Sequence, residues 1–152
     1  MNQKYKLGVT DIRWGDLTVV AGHSDPDRVP LAIEKLFSTD PEERREGYWG
    51  LDNHAVVQGD LYDSAPYVAC VLVSRVLAGA VLTAELLDLL YELAAGSGEE
   101  VLGVGPLAGQ SLESLCSEIV YELRPLFSEL APTGDALVDN TLHSLKELWG
   151  PV

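Results

Sequence analysis

The chain has 152 residues, 47% of them apolar and 22% charged, which suits one globular domain with its own core and excludes intrinsic disorder. Ten Lys and Arg against twenty-four Asp and Glu leave a formal charge of −14. Phosphate backbones and anionic membranes repel such a chain, so direct binding to either is not expected.

Met1 to Lys6 lead into no secretory-type apolar stretch. The longest apolar run, Pro66 to Leu82, is interrupted by Ser74 and Arg75 and is short for a bilayer. Cys70 and Cys116 both fall in apolar helical patterns, as buried free thiols of a reducing compartment would. A soluble cytoplasmic protein is the expectation.

The first helix start is Ser24-Asp25-Pro26, with Asp25 as cap and Pro26 at the first helical position. Val29, Leu31, Ile33, Leu36 and Phe37 give that helix its apolar face, and it is predicted to stop near Ser38. Asp40-Pro41 followed by Glu43 repeats the signal as a capping box. The second helix is predicted to run through Tyr48, Trp49, Leu51, His54 and Ala55 to about Val57, before Gln58-Gly59-Asp60.

Pro66 to about Gly79 is apolar on every side and reads as a central buried helix, although Val68, Val71, Val73 and Val76 would also suit a strand. Thr83 caps a helix ending near Ala95, with Leu86, Leu87, Leu90 and Leu93 on its apolar face. The glycine-rich stretch from Gly96 to Gln110 reads as a flexible connector. Ser111 opens a helix with Leu112, Leu115, Cys116, Ile119, Val120 and Leu123, which Pro125 should kink or interrupt. Thr133 or Asp135 caps a last helix bearing Leu137, Val138, Leu142, Leu145 and Leu148, and Trp149 is placed to cap the final repeat or to seek a partner.

Paired in order, these helices form three hairpins starting near residues 26, 66 and 111, a spacing in the range of HEAT and armadillo units. Such units bury their apolar faces only by stacking. The fold class expected is all-α: a right-handed α-solenoid of about three HEAT-like hairpins with a short N-terminal helix, forming a single domain over residues 1–152.

The charge is unevenly distributed. Residues 1–45 carry eight acids and seven bases, whereas residues 46–152 carry sixteen acids and only Arg75, Arg124 and Lys146 as bases. At about 100° per residue, Glu85 and Glu92 project in nearly one direction with Asp88 close by. These three make an acidic stripe opposite the leucine face. Glu118 and Glu122 form a second stripe, Glu99 and Glu100 lie in the connector between them, and Asp60 and Asp63 flank the turn after the second helix. Solvated glutamates are ordinary on an exposed helix. The lack of any base between Arg75 and Arg124 instead suggests a face that awaits a basic protein, whose approach such a field would accelerate.

Catalytic chemistry is not indicated. His23, His54 and His143 have no metal-ligand spacing, so no metal or other cofactor is expected. Asp52 and His54 diverge on a helix, and His54 is better read as a brace for the turn containing Gln58. Gly103-Val104-Gly105 has its next glycine one position late and Pro106 in the way of a dinucleotide loop. Neither cysteine has a neighbouring histidine in sequence, and no serine sits in a nucleophile elbow. A glycosylase-type enzyme would need a basic groove for DNA, which this charge balance opposes.

Ile12-Arg13-Trp14, Ala21-Gly22, Val29-Pro30 and Leu36, followed by Gln58, Gly59, Tyr62 and Ala65, resemble a bacterial group of HEAT-repeat proteins whose turn reads His-Gln-Gly-Thr with Tyr and Ala a few positions on. Val57 stands where that group has His, and Asp60 replaces its Thr. The resemblance covers residues 11–95. It implies a non-catalytic repeat scaffold, some relatives of which are immunity proteins of polymorphic toxin systems. The expected partner is then a basic toxin domain, such as a nuclease, occluded by the acidic face. The other expectation is a scaffold or regulatory protein that binds through apolar surface.

Overall fold

The structure, a computed structural model, describes residues 1–151. Among them are seven α-helices, Arg28–Leu36 (α1), Pro41–Asp52 (α2), Ser64–Leu77 (α3), Ala84–Ala95 (α4), Leu112–Tyr121 (α5), Arg124–Ser128 (α6) and Ala136–Trp149 (α7). Two antiparallel ladders of two residues per strand accompany them: Thr18–Val19 (β1) with Gly22–His23 (β2), and Val56–Val57 (β3) with Asp60–Leu61 (β4). The fold is therefore mostly helical, with two small hairpins that an all-α reading omits. No helix is long and apolar enough to cross a membrane.

Where the expected short N-terminal helix would lie, there are three 3-10 turns, Gln3–Tyr5, Val9–Asp11 and Trp14–Asp16. Gly8 and Gly15 break the segment, and the Asp11 carboxylate accepts from the Gly8 amide instead of letting a helix propagate. The segment is nevertheless fixed. Tyr5, Ile12, Trp14 and Leu17 are buried, and the Trp14 indole N–H donates to the Val9 carbonyl at 3.0 Å.

Proline placement sets the start of α1. Begun at Pro26, the helix would hold Pro30 past its first turn, where the missing N–H costs a backbone bond. Begun at Arg28, it has Pro30 in the first turn, where that donor has no intrahelical partner anyway. Asp25 instead accepts from the Asp27 amide at 2.9 Å, closing the turn before the helix.

The second helix ends at Asp52, five residues before the predicted Val57. Val56-Val57-Gln58-Gly59-Asp60-Leu61 is a two-residue hairpin in which Gln58 (φ +50°) and Gly59 (φ +85°) both adopt the left-handed conformations of a type I′ turn. Asp40 does cap α2, accepting from the Glu42 amide at 2.9 Å. Glu43 does not close the expected capping box, because its carboxylate accepts from the Ser38 hydroxyl.

Helix α3 is central. Every residue from Ser64 to Val73 is buried, together with Val76. It packs on α4 and α5, while α4 also meets α2, α5 and α7. The caps Thr83, Ser111 and Asp135 each accept a backbone N–H from their helix's first turn, as read from sequence. Thr133 lies outside α7, where its amide and hydroxyl donate to Asp139. Pro125 marks a complete break, with α5 ending at Tyr121 and α6 beginning at Arg124. Trp149 packs edge-on against Tyr121 and at a tilt against Phe127, closing the last hairpin over the core.

The connector from residue 96 to 110 is built rather than flexible. Leu102 and Leu107 are buried, and the Leu102 amide donates to the Gln110 carbonyl while the Gly109 amide donates back to Leu102. Tyr67, buried on α3, anchors it: the phenol donates to the Val104 carbonyl at 2.6 Å and accepts from the Leu107 amide at 3.2 Å. Tyr67→Phe removes the partner of both backbone groups, the Leu107 amide in a buried place and the Val104 carbonyl in a partly buried one. We expect a loss of about 1–2 kcal/mol in urea unfolding, with faster hydrogen exchange at the Leu107 amide.

Candidate functional site

The acids marked in the sequence fall into three places. Glu85, Asp88 and Glu92 do not form a solvent-facing stripe. Helix α4 is contacted by four other helices, with Leu86, Leu87, Leu89, Leu90 and Leu93 all buried, so its polar positions are pressed against α2. Arg44, Tyr48 and Asp52 recur at i, i+4 on α2 and meet them as a ladder. The Arg44 Nε lies 3.7 Å from the Glu85 carboxylate. The Tyr48 hydroxyl donates to Asp88. Asp52 and Glu92 meet carboxyl to carboxyl.

The last rung has no cation. A Glu92 carboxylate oxygen, Oε2, is fully covered and receives no donor from the surrounding protein. Two carboxylates can bond each other only if one carries a proton. Burial first, then the hydrogen bond and charge of Asp52, raise the Glu92 pKa from 4.5 to about 8. Burial and the bond to Asp88 likewise push the Tyr48 phenol above its usual range.

Glu118 and Glu122 are held by the N-terminal segment. The Tyr5 hydroxyl donates to Glu118 at 2.8 Å, and the Met1 amino group lies 3.8 Å from Glu122. Sequence periodicity could place these acids on α5 but carried no sign of the tyrosine that crosses to them over more than a hundred residues.

The third place keeps its carboxylates in solvent. The β3–β4 turn, residues 96–100 and the start of α5 are joined by main-chain bonds: Ser97 amide to Gly59 carbonyl at 2.6 Å, Leu61 amide to Ser97 carbonyl at 2.9 Å, Leu112 amide to Glu100 carbonyl at 2.9 Å, and Glu113 amide to Gly98 carbonyl at 3.0 Å. Asp60, Glu99 and Glu100 stand exposed on this edge, and among the described residues none has a cation within 4.0 Å. Glu113, which the sequence reading did not single out as a contact, joins them and accepts from the Gly98 amide. Asp63 is half-buried at the N-terminus of α3, its amide donating to Thr18. Gln58, at the tip, is the one non-glycine residue with positive φ among the described residues, a conformation its neighbours must enforce.

The residues weighed for chemistry are engaged structurally. His54 lies beyond α2 and contacts the Arg28 guanidinium, while its carbonyl accepts from Val20. It thus ties the first hairpin and the start of α1 together and does not brace the Gln58 turn. Burial, reinforced by Arg28, holds its pKa below the ordinary imidazole value. Cys70 and Cys116 are free and buried, and burial pushes the Cys70 thiol up to about 12, away from thiolate chemistry. His143 pairs with Glu147 on the surface of α7. Among the described residues no group of three or more His, Cys, Asp or Glu is arranged to hold a metal ion. No protein-family model, curated protein or solved structure matches this chain.

Proposed function

We propose that this protein is a non-catalytic binding module that docks a basic protein through the edge carrying Asp60, Glu99 and Glu100, with Glu113 beside them. The observation that carries this reading is the division of the acids. Glu85, Asp88, Glu92, Glu118 and Glu122 have partners within the fold, whereas these are exposed, without cations among the described residues, and fixed on three elements joined by main-chain bonds. A preformed row of carboxylates needs little ordering on binding and steers a cationic surface toward it. The left-handed Gln58 beside it is a further presented polar group.

The helix packing supports a stacked-hairpin architecture for the module. The order of the rungs, 44 with 85, 48 with 88 and 52 with 92, makes α2 and α4 run parallel, as successive second helices of repeats do. Helix α7 continues the row on α4, and α5 continues it on α3. With the resemblance over residues 11–95, this favours an immunity protein that occludes the substrate surface of a cognate toxin, a nuclease-like domain being the partner of matching charge.

The test is association of the protein with the product of the adjoining reading frame. A triple charge reversal, D60K/E99K/E100K, should lower the association rate at least about tenfold at low salt and leave the fold intact by circular dichroism. No complex at low salt, or a rate indifferent to both salt and the reversal, overturns the proposal. The second reading, an apolar docking scaffold, is favoured by Trp49 on α2 and Leu31 on α1, 54% and 56% exposed. In that case Trp49→Ala would abolish the complex and the reversal would not.

A further inference from the structure

We infer that the cavity between α6 and the end of α7 is a binding site for a small amphipathic anion, a carboxylate on an aromatic or aliphatic body. It measures about 550 Å³, and Arg124, Lys146 and Trp149 line it together with the His143–Glu147 pair. That volume falls within the range of small-molecule pockets.

Charge singles it out. In a chain of −14, this cavity gathers two of the three bases found after residue 45. Five Lys or Arg residues are half-buried among the described residues, and three of them have carboxylates: Lys35 with Glu46, Arg44 with Glu85, and Arg75 with Glu34. The other two, Arg124 and Lys146, have no carboxylate within 4.0 Å among the described residues, and both line this cavity. Partial desolvation of a cation is costly without a counter-charge. In a protein with acids to spare, leaving these two unmatched marks a place kept for an anion from outside.

The geometry is fixed by local backbone chemistry. Gly150, with φ +72°, ends α7 in a conformation that strains other residues and turns the chain so that the Pro151 carbonyl accepts from Arg124 at 2.7 Å. Arg124 also donates to the Tyr121 hydroxyl at 2.6 Å. Two of its five donors are thereby used to hold the guanidinium in place, and the rest remain for a ligand. Trp149, itself held by Tyr121 and Phe127, supplies the rigid apolar wall for the body of the ligand. Glu147 also lines the cavity and offsets one charge, while at ordinary ionic strength the more distant acids are screened beyond about 8–10 Å, so Arg124 and Lys146 leave the cavity net positive.

The test is calorimetric and NMR titration of the full chain with 2-naphthoate, with neutral 2-naphthalenemethanol and inorganic phosphate as controls. We expect saturable one-site binding of the naphthoate, at least about tenfold tighter than either control, with shifts at the Trp149 indole. Lys146→Gln and Arg124→Gln should each weaken it about tenfold, whereas Lys146→Arg should retain it. Because Arg124 also holds the chain end, its variant is read beside circular dichroism, and Lys146→Gln decides the question if Arg124→Gln unfolds. Absence of saturation, equal binding of the alcohol, phosphate binding as tightly as the naphthoate, or indifference to Lys146→Gln overturns the assignment.

Discussion

Gly47→Ala is expected to destabilise the protein by about 3 kcal/mol or more, although alanine in a helix interior ordinarily gains about 1 kcal/mol over glycine. The sign is reversed by the crossing of α1 and α2. A Cβ at position 47 would lie 2.4 Å from the Leu36 amide nitrogen, 2.6 Å from the Ala32 carbonyl oxygen and 2.9 Å from the Leu36 Cα. These are backbone atoms on the packed face of α1 and cannot swing aside, so the helices must separate and uncover Ile33, Leu36 and Leu51. One turn on, Gly50 faces only the Ala32 methyl, 2.9 Å from its would-be Cβ. Gly50→Ala should therefore cost less, about 1–2 kcal/mol, and Ala32→Gly should rescue it without rescuing Gly47→Ala. Urea unfolding of the four variants measures this. A Gly47→Ala protein as stable as the parent would mean that the two helices are not in backbone contact.

That glycine pair also shows where sequence patterning carries the fold and where it does not. Signals that act within one turn are readable: Thr83, Ser111 and Asp135 cap because their side chains reach amides two or three residues on, and Pro125 interrupts α5–α6 because it acts on its own helix. Boundaries decided by competition are harder. Val56 to Leu61 could extend α2 by apolar periodicity, and the left-handed Gln58-Gly59 turn wins because the strand pair is closed by it. Gly47 and Gly50 give no periodic signal at all, since their role is defined by the distance to α1. The acids are the sharpest case. A helical wheel correctly sets Glu85, Asp88 and Glu92 on one face of α4, but only the neighbours decide whether that face meets water. With α2, α3, α5 and α7 around it, α4 has no wide solvent face, and Arg44, Tyr48 and Asp52 occupy what a wheel leaves outside. The readable part of the candidate site is Asp60, Glu99 and Glu100, because turns and connectors are at the surface whatever the helices do.

The carboxyl rung between α2 and α4 gives this fold a stability that depends on pH in an unusual direction. Most native carboxylates are stabilised in their charged form, so proteins lose stability as pH falls. Glu92 is reversed: its pKa is raised from 4.5 to about 8 by burial, by the bond with Asp52, and by the charges of Asp52 and Asp88. The folded state holds this proton more tightly than the unfolded chain does. Its contribution is therefore fully present below about pH 4.5 and is lost as pH rises toward 8. The group is only half-buried and solvent screens it, so the loss expected across that window is about 2 kcal/mol. Glu92→Gln replaces the shared proton by a permanent amide donor to Asp52. It should raise stability at pH 8.5 by about the same amount and flatten the profile between pH 5 and 8.5, while Glu99→Gln, in solvent, should leave the profile unchanged. The measurement is the urea midpoint of each protein at half-unit pH steps. A parent whose stability rises from pH 5 to 8.5, or a Glu92→Gln profile parallel to it, would mean that the Asp52–Glu92 pair does not share a proton and that the rung is held apart by water.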